Sequence, residues 1–375
     1  MSGTSLDGVD GVLVEFSGAL PRVLLHRTAP FPTGLRAELL ALNTPGPNEL
    51  HRAALAANAL ARVYARVVAQ LLADTGTRPA QIRAIGAHGQ TVRHRPREFD
   101  DAFGDEAARG LPAVGYTLQL NNPALLAELT GIDVVADFRS RDLAAGGQGA
   151  PLVPAFHQGV FGRPGESVAV LNLGGIANLS VLGATGTDAV LGFDCGPGNA
   201  LMDHWCQQHT GQPFDAGGAW AASGQVVPAL LAALLAEPYL ALAPPKSTGR
   251  DLFNPAWLAT RLQPFAALAP ADVQATLAEF TASPCIAGVK RYANDSKWLI
   301  VCGGGAFNTH LMGRLRAGLP GVAVESSEAH GLPPLQVEAA AFAWLARQAI
   351  WRETGSLESV TGARGARVLG AVYPR

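Results

Sequence analysis

Apolar and polar positions follow two different periods along the chain, and these periods predict strands and helices in alternation. Apolar residues recur at helical spacing over 49–73, with Arg62 and Arg66 on the opposite face. Apolar, β-branched runs bounded by turn residues predict strands at 9–16, 23–26, 82–87, 134–136, 167–173, 176–182, 189–193 and 298–301. Further helices are predicted over 220–236, 270–292 and 336–352. The alternation predicts an α/β protein.

The chain is too long for one ordinary core, since single cores stop growing beyond about 250–300 residues and this chain has 375. Two similar α/β halves, each with its own strands and glycine turn, fit the pattern better than one long sheet. We expect a first lobe of residues 1–140, closed by the C-terminal segment 340–375. We expect the second lobe at 141–339, with a hinge-like glycine stretch at 144–149.

Charge and cysteine usage exclude several classes of protein. Twenty-eight basic against 30 acidic residues give a net charge of −2, which argues against binding to nucleic acid or an anionic membrane through bulk charge. The most apolar run, 226–243, is broken by two prolines and a glutamate, so it cannot span a bilayer. Four scattered cysteines and a polar stretch directly after Met1 predict reduced thiols, no signal peptide and a cytoplasmic location.

Three glycine-containing turns stand next to predicted strands. The first packs two glycines, two hydroxyls and two carboxylates into Gly3, Thr4, Ser5, Leu6, Asp7, Gly8, Val9 and Asp10. Backbone N–H groups in such a turn can bind phosphate oxygens, and a carboxylate such as Asp7 can hold hydrated Mg²⁺. The alternative is a polar turn between two strands. With Gly174-Gly175 and Gly303-Gly304-Gly305, the turns indicate a nucleotide lying across a cleft.

Asp194 is the candidate for catalysis. It follows a predicted strand and precedes the rigid turn Gly196-Pro197-Gly198, so its carboxylate would project from a fixed base. A carboxylate in that position can accept a proton from a hydroxyl or a water that attacks phosphorus or carbon. A helix N-cap or turn aspartate remains the alternative.

Other polar residues at strand ends and helix starts are candidates for substrate binding. His88 and Gln90 end one predicted strand, and Asp137 and Arg139 end another; Arg139 could clamp a carboxylate or phosphate, or form an ion pair between the lobes. The segment 246–249 resembles a P-loop only weakly, because it follows two prolines and lacks the leading glycine.

Together these segments resemble the anhydro-N-acetylmuramic acid kinase family of the sugar kinase, Hsp70 and actin superfamily. The matching stretches run almost end to end in the family order: MSGTSLDGVD at 1, HGQTVRH at 88, DFRSRDLAAGGQGAPLVPAFH at 137, NLGGIANLS at 172, GFDCGPGNALMD at 192, PPKSTGRDLFN at 244, CGGGAFN at 302 and EAAAFAWLA at 338.

The resemblance implies a two-lobed α/β fold with ATP and Mg²⁺ in the interlobe cleft. It also implies phosphorylation of O6 of an anhydro amino sugar, with water opening the ring at C1, to give N-acetylmuramic acid 6-phosphate during peptidoglycan recycling. By position, Asp194 resembles the base for that water, and Glu338 resembles an acidic residue that helps to place it. Taken alone, Glu338 is a first-turn helix charge.

The remaining site residues are assigned by the same resemblance. Residues 3–10 correspond to the first phosphate loop, Gly174 and Gly175 to the second, and Gly303 to Gly305 to the adenosine loop; Gly196 is also expected to bind the nucleotide. The expected partners are the amino sugar and ATP, with no nucleic acid or membrane. A two-fold homodimer is the default expectation.

Two alternatives and one departure accompany this interpretation. The chain could be an ordinary amino-sugar kinase without ring opening, or a nucleotide-dependent switch without catalysis. The departure is at Met1, because the superfamily has a buried strand before the first phosphate loop. We expect a chain extended on the amino side of Met1 to be more stable and more active.

Overall fold

The computed structural model describes residues 1–3, 6, 8–18, 20–98, 113–184, 190–250 and 252–375. Its strands are β1 Gly8–Glu15, β2 Arg22–Pro30, β3 Ile85–Gly86, β4 Gln90–Arg95, β5 Tyr116–Leu120, β6 Val134–Ala136, β7 Val168–Leu173, β8 Ile176–Leu182, β9 Leu191–Pro197, β10 Trp298–Cys302, β11 Ala323–Ser326 and β12 Ala371–Tyr373.

Its helices are α1 Thr33–Ala41, α2 Glu49–Thr75, α3 Pro123–Thr130, α4 Ser140–Ala144, α5 Pro154–Phe161, α6 Ala200–Thr210, α7 Ala219–Ser223, α8 Pro228–Leu235, α9 Pro238–Ala241, α10 Pro255–Leu262, α11 Pro270–Tyr292, α12 Thr309–Gly318, α13 Val337–Trp351 and α14 Glu358–Thr361. The mixed α/β composition that the sequence predicts is confirmed.

The chain divides into two compact units. Unit 1 comprises Met1–Val160 together with Gln336–Arg375, and unit 2 comprises Phe161–Leu335. The lobes predicted at 1–140 with 340–375 and at 141–339 stay a prediction. Within the described residues, no helix is long and apolar enough to cross a membrane.

Unit 1 contains small sheets covered by helices. β1 and β2 form an antiparallel hairpin, β4 pairs with β5, and β6 lies between β3 and β12. The helix α2 packs its apolar face, including Leu60, Val63 and Val67, against β1, β2 and α3. The helix α13 contacts β1 and β3 so closely that a Cβ on Gly86 would lie 2.3 Å from the Phe342 carbonyl oxygen.

A cavity of about 630 Å³ lies in unit 1 between β1, α2, α13 and residues 81–86. Most of its lining is apolar, with side chains such as Val12, Val67 and Ile350. It is therefore a poor place for the predicted phosphate and sugar chemistry.

Unit 2 contains a five-stranded sheet in the order β11-β10-β7-β8-β9. β11, β10 and β7 are parallel to one another, whereas β7, β8 and β9 pair in antiparallel fashion. The long helix α11 packs against β8 and β9 as well as the helices α6, α7, α8 and α12. Nearly every residue of β7 and all of β8 are buried, as expected for a sheet covered on both faces.

Four predicted elements differ from the structure, and the first is the strand predicted at 23–26, which is the longer β2, Arg22–Pro30. The strand predicted at 82–87 is reduced to Ile85–Gly86. The helix predicted at 220–236 is two helices, α7 and α8, because Gly224 passes so close to Ala271 that a Cβ there would lie 2.1 Å from its carbonyl oxygen, and Pro228 starts a new helix. The strand predicted at 189–193 begins at Leu191 and continues to Pro197.

Candidate active site

Asp194 stands in a row of polar side chains across the sheet of unit 2. In the strand register Asn172 of β7 pairs with Asn178 of β8, and Asn178 pairs with Asp194 of β9. Directly paired residues of antiparallel strands point to the same side of a sheet. Asp194 therefore lies inside β9, not after a strand as predicted, and the sheet itself fixes its base.

The Asp194 carboxylate is bound by two N–H donors from different parts of the chain. Asn178 donates its Nδ2 to Oδ1 at 2.9 Å, and the backbone N–H of Thr248 donates to Oδ2 at 2.8 Å. Asp194 is buried, with an exposed fraction of 8%. Hydrogen bonds of this kind favour the ionised carboxylate, which is the form that accepts a proton.

The segment 246–249 supplies one of these donors without being a P-loop. The carbonyl oxygen of Lys246 accepts a hydrogen bond from the Asp194 N–H at 3.3 Å, and the Tyr239 hydroxyl donates to the Asp194 carbonyl oxygen at 2.9 Å. The Lys246 ammonium group is buried, donates to the Leu240 carbonyl oxygen at 3.2 Å and lies 4.8 Å from the centre of the Tyr239 ring. Burial lowers the pKa of Lys246.

The second predicted phosphate turn is held against the segment that follows β9. Gly198 donates its N–H to the Gly175 carbonyl oxygen at 3.0 Å, and Asn199 donates its N–H to that of Gly174 at 2.8 Å. A Cβ on Gly198 would lie 2.3 Å from the Gly174 oxygen, so the two backbones meet only because Gly198 has no side chain. Gly196 lies within β9, opposite Ala177.

The third predicted turn lies at the same sheet edge as the second. Gly303 follows β10, which pairs with β7 in parallel, and Gly304 and Gly305 begin a short 3₁₀ helix. Gly303 has φ 77°, and a Cβ there would lie 2.5 Å from Oδ1 of Asn172. A Cβ on Gly305 would meet the Leu173 Cβ at 2.5 Å. Because parallel neighbours end at one edge, the structure brings both glycine turns of unit 2 together.

In unit 1, His88 and Arg139 form one hydrogen-bonded group. The Arg139 Nε donates to His88 Nε2 at 3.1 Å, and its Nη1 donates to the Gly149 carbonyl oxygen at 2.8 Å. Since Nε2 accepts, His88 carries its proton on Nδ1 and donates it to the Gly89 carbonyl oxygen at 2.7 Å. Burial, and then the Arg139 charge, lowers the pKa of His88 well below its usual value, so the ring is neutral.

Asp137 and Asp142, which lie close to Arg139 in the sequence, have different surroundings in the structure. Asp137 is exposed, has φ 56° and accepts a hydrogen bond from the Ser140 hydroxyl at 2.5 Å. Asp142 is fully buried and accepts from the Gly149 N–H and the Thr361 hydroxyl, both at 2.8 Å. Asp142 thus binds the glycine stretch predicted to be a hinge.

Gln90 points its amide towards the first predicted phosphate turn. Its Nε2 donates to the Gly3 carbonyl oxygen at 3.1 Å. Its Oε1 is buried and has no hydrogen-bond partner among the described residues. An unpaired buried acceptor is rare, and it fits the prediction that Gln90 receives a ligand hydroxyl or N–H.

The first turn itself is only partly described. Thr4, Ser5 and Asp7, including the predicted Mg²⁺ ligand, lie outside the described residues. Leu6 is buried with φ 57°. The last three residues of the predicted turn are the start of β1. Gly8 lies so close to β2 that a Cβ there would be 2.4 Å from the Ala29 oxygen, and Val9 is buried. The Oδ1 of Asp10 lies 3.2 Å from the Nε2 of His26.

Glu338 is the second residue of α13 and is half-buried. Burial lowers the pKa of the Met1 amino group to about 6, and the charges of Asp10 and Glu338 oppose that effect. Glu338 therefore lies near the chain that leads into the first turn. Its role as an acidic site residue stays a prediction.

The contacts of Asp194 include three residues that the sequence interpretation left out: Asn178, Tyr239 and Thr248. Asn178 could have been identified from the sequence, because asparagine is unusual in a strand as apolar as 176–182. Tyr239 in α9 and Thr248 in the segment 246–249 lie more than 40 residues from Asp194, and no local pattern links either of them to Asp194.

A family model described as anhydro-N-acetylmuramic acid kinase matches residues 1–375. The anhydro-N-acetylmuramic acid kinase of Variovorax paradoxus (strain S110) is 71% identical, covering 100% of this chain and 97% of its own length. That of Albidiferax ferrireducens is 66% identical, covering 100% and 98%. Among solved structures, the activator of 2-hydroxyisocaproyl-CoA dehydratase from Clostridium difficile with bound ADPNP matches with a TM-score of 0.44 and 12% identity, covering 91% and 93%.

Proposed function

We infer the function from the family to which this chain belongs, the anhydro-N-acetylmuramic acid kinases. The protein is a carbohydrate kinase that uses ATP. We propose that it transfers the γ-phosphoryl group to O6 of 1,6-anhydro-N-acetylmuramic acid and opens the anhydro ring with water. The products would be ADP and N-acetylmuramic acid 6-phosphate, and we propose that the reaction belongs to peptidoglycan recycling in the cytoplasm.

Ring opening follows from the substrate's own chemistry. In a 1,6-anhydro sugar O6 is already bonded to C1, so O6 has no proton to give up. A stable phosphate ester at O6 requires that the O6–C1 bond break as the O6–P bond forms. Water then supplies the oxygen at C1 and must lose a proton to a base.

The observation that carries the proposal is the fixed carboxylate of Asp194. The Asn178 amide and the Thr248 N–H hold its two oxygens at 2.9 and 2.8 Å. We propose that this ionised carboxylate takes the proton of the attacking water. Glu338 in unit 1 is proposed to help place that water, and His88, Gln90, Asp137 and Arg139 are proposed to bind the sugar.

Phosphoryl transfer itself needs positioning and charge stabilisation more than covalent help. We propose that phosphate and adenosine bind at the glycine turns Gly174-Gly175 and Gly303 to Gly305, which the strand register brings to one edge of the sheet. Mg²⁺, when bound, neutralises charge on the phosphates. It is usually held by one or two carboxylates and the phosphates themselves, and Asp7 is the proposed ligand.

The test is to incubate the protein with ATP, Mg²⁺ and 1,6-anhydro-N-acetylmuramic acid in ¹⁸O-labelled water and to measure the mass of the product by mass spectrometry. We expect a gain of one phosphoryl group and one labelled water. Asp194→Asn should abolish the product, whereas Asp215→Asn, which alters a carboxylate that caps α7, should retain it. Phosphoryl gain without water would identify the ordinary kinase, with a free hydroxyl such as O4 as acceptor.

A further inference from the structure

We propose that Asn178 is the positioning residue of this reaction: it holds the Asp194 carboxylate ionised and correctly aimed through its Nδ2–H. This inference rests on the proposed role of Asp194. It concerns a residue that contacts the base and not the sugar.

The orientation of the Asn178 amide is fixed by chemistry. An ionised carboxylate only accepts hydrogen bonds, and Asn178 Nδ2 lies 2.9 Å from Asp194 Oδ1. Reversing the amide would bring two acceptor oxygens together. The strand register, in which Asn178 pairs directly with Asp194, holds the two side chains side by side.

The buried Asn178 side chain lowers the stability of the folded protein. Its Oδ1 is buried and has no hydrogen-bond partner among the residues that the structure describes. The six other residues of β8 are buried too, and all but Ser180 are apolar. Since an unpaired buried amide oxygen is unfavourable, stability alone would favour an apolar side chain here, and the amide N–H is the feature worth retaining.

The Thr248 N–H completes the arrangement from the other side. It donates to Oδ2 of Asp194, so donors from two different segments bind the two carboxylate oxygens and hinder rotation of the carboxyl plane. Only proline would remove this backbone donor, and it would also change the conformation of the loop, so Asn178 is the member of the pair that mutation tests without altering the backbone.

The test compares Asn178→Leu and the isosteric Asn178→Asp with Ser180→Ala, which removes a buried polar group from the same face of β8. Turnover should fall about 10- to 100-fold in Asn178→Leu, as when one hydrogen bond to a charged group is lost. The KM for the sugar should stay within about twofold, because Asn178 binds the base.

The pH dependence of kcat/KM distinguishes a positioning role of Asn178 from a purely structural one, because a purely structural role would leave that pH dependence unchanged. The rate falls at low pH as the base becomes protonated, and a lost donor makes protonation easier. The acid limb should therefore move to higher pH by about one unit in Asn178→Leu and by more in Asn178→Asp, which adds a like charge. Ser180→Ala should keep the parental limb.

Two results would overturn the inference in distinguishable ways. If Asn178→Leu and Asn178→Asp both fold and keep the parental acid limb and turnover, Asn178 does not position the base, although Asp194 could still be the base. If Asp194→Asn, assayed in parallel, still incorporates labelled water, the proposed function of Asp194 fails and this inference fails with it. Should Asn178→Leu not fold, Asn178→Asp alone decides.

Discussion

Replacing Gly198 with alanine tests whether the close backbone approach in unit 2 supports the phosphate turn. The new Cβ would lie 2.3 Å from the Gly174 carbonyl oxygen and 3.0 Å from the Ile176 carbonyl carbon. Carbon and carbonyl oxygen ordinarily meet at roughly 3.3–3.6 Å, so one backbone must move by about 1 Å. Both obstacles are main-chain atoms and cannot rotate aside.

The expected loss combines overpacking with weakened hydrogen bonds. Overpacking costs about 1–3 kcal/mol, and the two bonds that Gly198 and Asn199 donate to the turn contribute about 1 kcal/mol each. We expect unfolding free energy to drop by roughly 2–4 kcal/mol, which lowers Tm by roughly 5–15 °C for a unit of this size. ATP turnover should fall too, because the displaced segment is the turn at Gly174.

Gly313→Ala is the matched control. Gly313 lies in α12, and a Cβ there would have no atom within 4 Å. Alanine in a helix is favoured over glycine by about 0.5–1 kcal/mol, so this variant should melt slightly higher with parental turnover. Thermal unfolding followed by circular dichroism and a coupled ADP assay measure both effects. A Gly198→Ala protein with parental Tm and turnover would refute the reasoning.

Two further predictions concern buried ionisable groups. Burial lowers the pKa of His157 to about 3 in the folded protein, whereas the imidazole of an unfolded chain has a pKa near 6.5. Below pH 6.5 the unfolded chain therefore binds a proton that the folded protein does not bind. The free energy of unfolding decreases as the pH falls from 6.5 towards 3, by up to about 1.4 kcal/mol per pH unit. His157→Gln should show a smaller drop in Tm between pH 6.5 and 4.5, and an equal drop would contradict this. Lys246→Met should lower turnover about tenfold by loosening the chain that contacts Asp194, whereas exposed Lys290→Met should not; equal rates would exclude a role for Lys246.

Much of the fold was predictable where apolar runs are bounded by clear turn residues. The strands at 134–136 and 176–182 and the helix at 270–292 begin and end where predicted, because their burial and their local pattern agree. The strand Ile85–Gly86 is shorter than predicted, and the helix predicted at 220–236 is interrupted where the Gly224 backbone lies close to Ala271. Such approaches are set by tertiary structure.

The candidate site was predictable in its backbone parts and less so in its side-chain contacts. The glycine content of the segments at 174 and 303 predicts turns, and the parallel pairing of β7 with β10 brings both turns to one edge of the sheet. The partners of Asp194 arrive from β8 and from the loop at 246–249, and hydrogen bonds between such distant segments leave no periodic trace. Arg139 was found, but its bond to His88 was not.

The discontinuity of unit 1 has a consequence for synthesis of the chain. Unit 2 is one continuous segment, 161–335, whereas unit 1 needs residues 336–375 to place α13 against β1 and β3 and to pair β12 with β6. On the ribosome, where domains fold as they emerge, unit 2 has all its residues before unit 1 does. The apolar surface of Val135 and Phe138, which packs with Phe342 of α13, therefore stays uncovered until α13 has been synthesised.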